Sequence, residues 1–234
     1  MKIAITRLHE KDDGTSRLFN QYGLDAVIIP TIQSRDPSDT SSIDNLIKKV
    51  KSRKIDILVF TSTLGVMKFF DKITDIPENI RIISVGPKTA QKVNQFGYHT
   101  ETLNSYNSTH FAEYIGEQAS NKTIGIARAN VPDSELVKTL ESLGATVIEG
   151  TCYELVETPN DLRDNIVNKN IDAVVFTSTK SFLASKLAGS DVRDIITVAI
   201  GPKTAESMEK NGITPDLVGS GTLGSCAVLL KNIK

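Results

Sequence analysis

"IDILVFTST" occupies residues 55–63, and "IDAVVFTST" occupies residues 171–179. Seven of the nine positions agree, at an offset of 116. A second pair follows downstream: "SVGPKTAQKV" carries Gly86, and "AIGPKTAESM" carries Gly201, at an offset of 115. "NQFG" then ends at Gly97 and "EKNG" at Gly212, again 115 apart. Two motifs keeping register over this distance point to a duplicated unit, with a period far longer than that of solenoid repeats.

The remainder of each half runs in the same order. "KIAIT" and "TIGIA" are short apolar runs. Each precedes a helix-like stretch ("TSRLFNQYG", "DSELVKTLESLG") and a further run ("AVIIP", "TVIEG"). Then "SSIDNLIKKVKSRK" and "NDLRDNIVNKN" space their apolar residues as helices do. Short apolar runs alternating with helices are the mark of parallel sheets covered on both faces. The expected fold class is α/β, with two similar doubly wound parallel-sheet domains of four or five strands each. Position along the chain alone puts a division near Ala119–Lys122, without a Pro/Gly-rich linker to support it.

Composition narrows the function classes. The chain has 234 residues, 39% hydrophobic and 24% charged, an ordinary globular balance. That length serves one large domain or two of moderate size. A net charge of −1 marks no whole surface for nucleic acid or membrane. The basic run from Lys48 to Lys54 reads as the solvated face of a helix. Cys152 and Cys226 lack CxxC spacing and read as reduced thiols in a cytoplasmic protein. His9, His99 and His110 are scattered, so no metal site is expected. "MKIAITRLHE" lacks the long apolar core of a signal peptide, and no stretch is long enough to span a bilayer.

Open parallel sheets bind ligands beyond the carboxyl ends of their strands, where both repeated motifs fall. Thr61-Ser62-Thr63 follows "ILVF"; Gly86-Pro87-Lys88-Thr89 follows "IISV". The second half places Thr177-Ser178-Thr179 and Gly201-Pro202-Lys203-Thr204 equivalently. Helix N-termini offer unpaired N–H groups and a positive dipole end, which favour anions. Four such ends, with hydroxyls and two lysines, would suit a ligand with several negative groups. The competing reading is local: Ser and Thr are preferred helix caps, and Gly-Pro is ordinary turn chemistry. Neither motif is a Walker loop or a GxGxxG fingerprint, so nucleotide chemistry has no specific support.

Taken in order, "VFTST" at 59–63, "SVGPKTAQKVNQFG" at 84–97, the tyrosine of "TCYELVETP", "FTSTKS" and "AIGPKTAESMEKNGI" resemble the uroporphyrinogen-III synthase family. The resemblance covers essentially the whole chain. It implies two α/β domains joined by a two-stranded antiparallel connector, with a cleft between them. Residues 1–33 and 157–234 would form one domain and 34–156 the other, with "IPTIQ" and "TCYELVE" as crossing strands. It further implies a cofactor-independent lyase of the hydro-lyase type acting on hydroxymethylbilane, a linear tetrapyrrole with eight carboxylates. Loss of the terminal hydroxyl gives an electrophilic azafulvene, which the substituted carbon of ring D attacks. The spiro intermediate then fragments and recloses with ring D inverted, giving uroporphyrinogen III. Such a substrate is already reactive, so the enzyme's task is mainly positioning.

The resemblance also implies roles for residues. Tyr153 would hydrogen-bond the departing hydroxyl as a weak acid. Thr61, Ser62, Thr89, Ser178 and Thr204 match positions that donate to substrate. Lys203 matches a position that varies between hydroxyl and basic residues, and Arg7 would meet a carboxylate. One departure stands out. Where many members carry Arg-Gly and then a second Arg, this chain reads Arg128-Ala129-Asn130-Val131-Pro132-Asp133. Asp133 is expected to cap the next helix and face away from an anionic ligand. The expected enzyme is a cytoplasmic monomer, with no cofactor, nucleic-acid or membrane partner. The alternative on the same scaffold is a non-catalytic two-domain binding protein or sensor for an anionic small molecule.

Overall fold

A computed structural model of the chain describes residues 1–11, 14–103, 109–131 and 134–233, without the side chains of Lys11, Thr109, His110 and Ser134. In chain order the strands are β1 (Lys2–Ile5), β2 (Asp25–Ile28), β3 (Ile32–Arg35), β4 (Ile57–Phe60), β5 (Arg81–Ser84), β6 (Glu101–Thr102), β7 (Thr123–Ala129), β8 (Thr146–Glu157), β9 (Ala173–Phe176), β10 (Ile196–Ala199) and β11 (Leu217–Val218). The α-helices are α1 (Thr15–Asn20), α2 (Ser41–Lys51), α3 (Thr63–Phe70), α4 (Pro87–Gln95), α5 (Thr109–Ile115), α6 (Ser134–Ser142), α7 (Leu162–Val167), α8 (Thr179–Ser185), α9 (Pro202–Lys210) and α10 (Leu223–Lys231).

The chain divides into two compact units. One joins Met1–Ser34 to Val156–Lys234; the other is the unbroken Arg35–Leu155. The stretch 119–122 therefore lies inside the second unit. In the first unit the sheet order is β11-β10-β9-β1-β2, all parallel. In the second it is β3-β8-β7-β4-β5-β6, parallel from β8 to β6. β3 and β8 are neighbours in that sheet and carry the chain across both unit boundaries.

The repeated apolar run forms the centre of each sheet. All four residues of β4 and all four of β9 are buried, as covered parallel strands require. Successive side chains point to opposite faces. Leu58 and Phe60 enter one core cluster while Ile57 and Val59 enter another. Val174 and Phe176 divide from Ala173 and Val175 in the same way. Read from one edge, β2-β1-β9-β10-β11 and β8-β7-β4-β5-β6 are the same arrangement.

α2 buries Ile43, Leu46, Ile47 and Val50, one stripe at helical spacing. Leu46 lies against β7 and β8 at Gly125 and Gly150, where an added Cβ would come within 2.6 Å of it. The helix stops at Lys51, three residues short of the end of the periodic stretch. Arg53 takes φ 57, the Arg53 N–H donates to the Val50 carbonyl, and the Lys54 N–H donates to that of Lys49. These are the two bonds of a Schellman motif, with arginine where glycine is usual. Lys48 and Lys51 are exposed on the last turn, and Arg53 and Lys54 are exposed beyond it.

β8 carries a bulge. Arg128 pairs with Thr151, but Ala129 pairs with Tyr153, so Cys152 is an extra residue. Cys152 and Tyr153 consequently both enter the same core cluster, although they are consecutive on a strand.

Candidate active site

In the second unit, β4 ends at Phe60 and α3 begins at Thr63. Ser62 is the N-cap, in extended conformation, and its Oγ accepts the Gly65 N–H at 3.0 Å. The same Oγ lies 3.1 Å from the Tyr153 hydroxyl. The bulge supplies that contact, because it turns Tyr153 toward the α3 side of the sheet. Tyr153 is only 3% exposed, whereas Thr61, Ser62 and Thr63 are each partly exposed. Burial pushes the neighbouring Cys152 thiol up to about 12, so it stays protonated and inert.

The matching corner of the first unit is built differently. Ser178 caps α8 and accepts the Ser181 N–H at 3.0 Å. Ser181 answers by accepting the Ser178 N–H at 3.1 Å, which completes a capping box. Thr6 Oγ1 lies 3.0 Å from Ser181 Oγ and accepts the Thr177 N–H at 3.2 Å. Thr177 Oγ1 donates to the Thr6 carbonyl at 2.6 Å, and Thr31 Oγ1 donates to the Ser181 carbonyl at 2.6 Å. Ser181, Thr6 and Thr31 are fully buried.

Ladder register relates the two corners. Ile3 pairs with Ala173, and Ile124 pairs with Ile57. Counting onward, Thr6 corresponds to Ala127 and Arg7 to Arg128. Arg128 is held in an ion pair with Glu149 at 2.8 Å and donates to the Val131 carbonyl. Arg7 is partly exposed at the carboxyl end of β1. Asp133 lies outside the described residues.

The Gly-Pro turns do what their sequence suggests. Gly86 and Gly201 are N-caps, and Pro87 and Pro202 open α4 and α9. Lys88 and Lys203 are exposed on the first turn. Thr89 and Thr204 point inward and are 6% and 4% exposed. The Thr179 hydroxyl donates to the Lys203 carbonyl at 3.4 Å, tying the starts of α8 and α9 together. In each unit, these motifs thus meet at the carboxyl ends of adjacent central strands. A hollow lined by Ile166, Asp172, Asp191, Arg193 and Ile196 opens instead at the amino ends of β9 and β10. Parallel sheets bind ligands at the other end, and it is assigned no role.

Gly65, Ser181 and Thr6 were not expected to matter from the sequence. The signal is present for two of them: the repeat sets Gly65 opposite Ser181, third residue after each capping serine.

Comparison with known proteins fits this architecture. Residues 13–223 match the family model described as Uroporphyrinogen-III synthase HemD. A putative uroporphyrinogen-III synthase of Methanothermobacter thermautotrophicus is 25% identical, over 91% of this chain and 90% of the relative. A uroporphyrinogen-III synthase of Chlorobaculum parvum is 24% identical, over 92% of each. Among solved structures, a mutant uroporphyrinogen III synthase of Thermus thermophilus superposes with a TM-score of 0.66 at 15% identity, covering 99% of this chain and 98% of that one. The uroporphyrinogen-III synthetase of Helicobacter pylori gives 0.66 at 16%, covering 100% and 99%. The structures carry the fold and the family model carries the relationship: this chain belongs to the uroporphyrinogen-III synthase family.

Proposed function

We propose that this chain converts hydroxymethylbilane to uroporphyrinogen III, closing the macrocycle with ring D inverted through a spiro intermediate. The observation that carries the reading is the Ser62–Tyr153 hydroxyl pair, 3.1 Å apart at the carboxyl end of β4, in a chain of this family. The substrate supplies its own electrophile once its terminal hydroxyl leaves. A neutral hydroxyl donor suffices to assist that departure, and the remaining work is to hold the chain so that the substituted carbon of ring D attacks. Thr61 and Ser62 in one unit, and Ser178 in the other, are proposed as donors to the substrate. Arg7 and Lys203 supply positive charge for its carboxylates. Thr89 and Thr204 belong to the proposed set through the first helical turns that they anchor.

The two compact units are proposed as the family's two domains, with β3 and β8 as the connector. No described helix is long and apolar enough to cross a membrane. Monomeric action in the cytoplasm belongs to the same proposal; the unpaired buried thiols of Cys152 and Cys226 suit a reducing compartment. The test is to mix the protein with freshly generated hydroxymethylbilane, oxidise, and separate the porphyrin isomers. Isomer III above the enzyme-free blank is expected. Isomer I alone, from folded protein and live substrate, would refute the reading, and tight tetrapyrrole binding without turnover would point to a binding protein.

A further inference from the structure

Hydrogen-bond capacity at the α3 corner fixes which hydroxyl can face a ligand. Ser62 Oγ has one proton and two lone pairs. One lone pair takes the Gly65 N–H at 3.0 Å. A phenol is a stronger acid than an alcohol, so in the 3.1 Å contact with Tyr153 the phenol donates and Ser62 accepts on its second lone pair. The Ser62 proton is then directed away from both partners. Ser62 is partly exposed and Tyr153 is 3% exposed, so the outward donor is the serine. Two donors converging on one oxygen strengthen the bond which that oxygen donates in turn.

The local sequence permits this. A Cβ at residue 65 would lie 3.1 Å from Ser62 Oγ and 3.4 Å from the Ala127 carbonyl oxygen. Glycine leaves the room in which Ser62 and Tyr153 meet. The first unit has Ser181 at that position, and its hydroxyl closes the cap on itself.

Resting on the synthase reading above, we infer that Ser62 is the catalytic residue that meets the departing hydroxyl, and that Tyr153 is a positioning residue acting through it. As the C–O bond breaks, its electron pair goes to the oxygen. The Ser62 proton passes to that oxygen, and water leaves. The Tyr153 proton moves to Ser62 Oγ, and the pyrrole N–H proton, released as the azafulvene forms, returns to Ser62 Oγ while the serine proton passes back to restore the phenol.

The experiment compares wild type with Ser62→Gly, Ser62→Thr, Tyr153→Phe and the Ser62→Gly/Tyr153→Phe pair, in steady-state formation of isomer III. Glycine costs only a few tenths of a kcal/mol as an N-cap, so Ser62→Gly is expected to fold, which a thermal melt checks. Expected are a fall in kcat of about 100-fold for Ser62→Gly with KM little changed, and about 10-fold for Tyr153→Phe. Ser62→Thr should recover kcat to within about 3-fold of wild type, because it restores the outward hydroxyl. The double variant should be no slower than Ser62→Gly. Near-normal kcat in Ser62→Gly, or effects that multiply in the double variant, would overturn the inference while leaving the synthase reading intact. A wild type that makes only isomer I would overturn that reading and, with it, this one.

Discussion

The two serine-capped corners start from the same four residues and end as different objects. At the first-unit corner, the hydroxyls of Ser181, Thr6 and Thr177 bond to one another and to the backbone, around a Ser178 Oγ that accepts the Ser181 N–H. At the second-unit corner, glycine replaces Ser181, alanine replaces Thr6, and Ser62 reaches a tyrosine on the next strand but one. One corner is a cap reinforced by buried hydroxyls. The other gives up that reinforcement and sets its capping serine against a buried phenol. Identical motif letters thus conceal two different hydrogen-bond surroundings for the capping serine, and the third residue after the cap, serine or glycine, goes with the difference.

Making the second corner like the first should have the largest effect. Gly65→Ser sets a Cβ against Ser62 Oγ and the Ala127 carbonyl. It should separate Ser62 from Tyr153 and lower kcat for isomer III by about 100-fold, as loss of one oriented donor does. A rate assay beside a thermal melt checks that the loss exceeds any destabilisation. The reverse assault, Ser181→Ala, removes half of the capping box and leaves the buried Thr6 hydroxyl with fewer partners. It should cost about 1–3 kcal/mol in urea unfolding, with kcat close to wild type once the protein is folded. Gly150→Ala forces a Cβ within 2.6 Å of Leu46 and should cost about 1–3 kcal/mol without touching the first-unit corner.

The smallest effect is a pH dependence that belongs to the second unit. Arg81 holds Glu101 in a two-armed contact, and Tyr114 donates to the same carboxylate, so Glu101 stays ionised down to about 2. A carboxyl whose folded pKa is lowered stabilises the protein above its unfolded pKa. That contribution is lost as pH falls through the folded value, here from about 5 toward 2. Glu101→Gln should therefore show a shallower fall in melting temperature between pH 6 and 3 than wild type, to be read by thermal melts across that range. Because the pair is partly exposed, the difference should be a few degrees at most.

Much of this was readable from the letters. Four consecutive apolar residues before Ser or Thr announce a covered parallel strand and its cap, and Gly-Pro announces a helix start. The end of α2 was not readable, since Arg53 adopts a backbone region where glycine is expected. Nor was the bulge at Cys152, which depends on how two strands register and not on the residue itself. Only the family resemblance singles out Tyr153. Nothing in "TCYELVE" says that its ring turns inward with its hydroxyl on Ser62. The Arg128–Glu149 pair likewise joins adjacent strands at a spacing that composition does not reveal.

The sheet of the first unit has a temporal consequence. β1 lies at its interior, between β2 and β9, yet β9 begins 145 residues after β2 ends (Ile28 to Ala173). At about 5–20 residues per second on the ribosome, β1 and β2 wait roughly 7–30 s for their partner. Arg35–Leu155 is contiguous and is fully made 18 residues before Ala173, so its own sheet can close first. The newborn chain is thus expected to carry β1, whose Ile3, Ala4 and Ile5 are fully buried in the finished sheet, without the strand that covers its second edge. For that interval the segment is a substrate for chaperones, and a hazard if they are scarce.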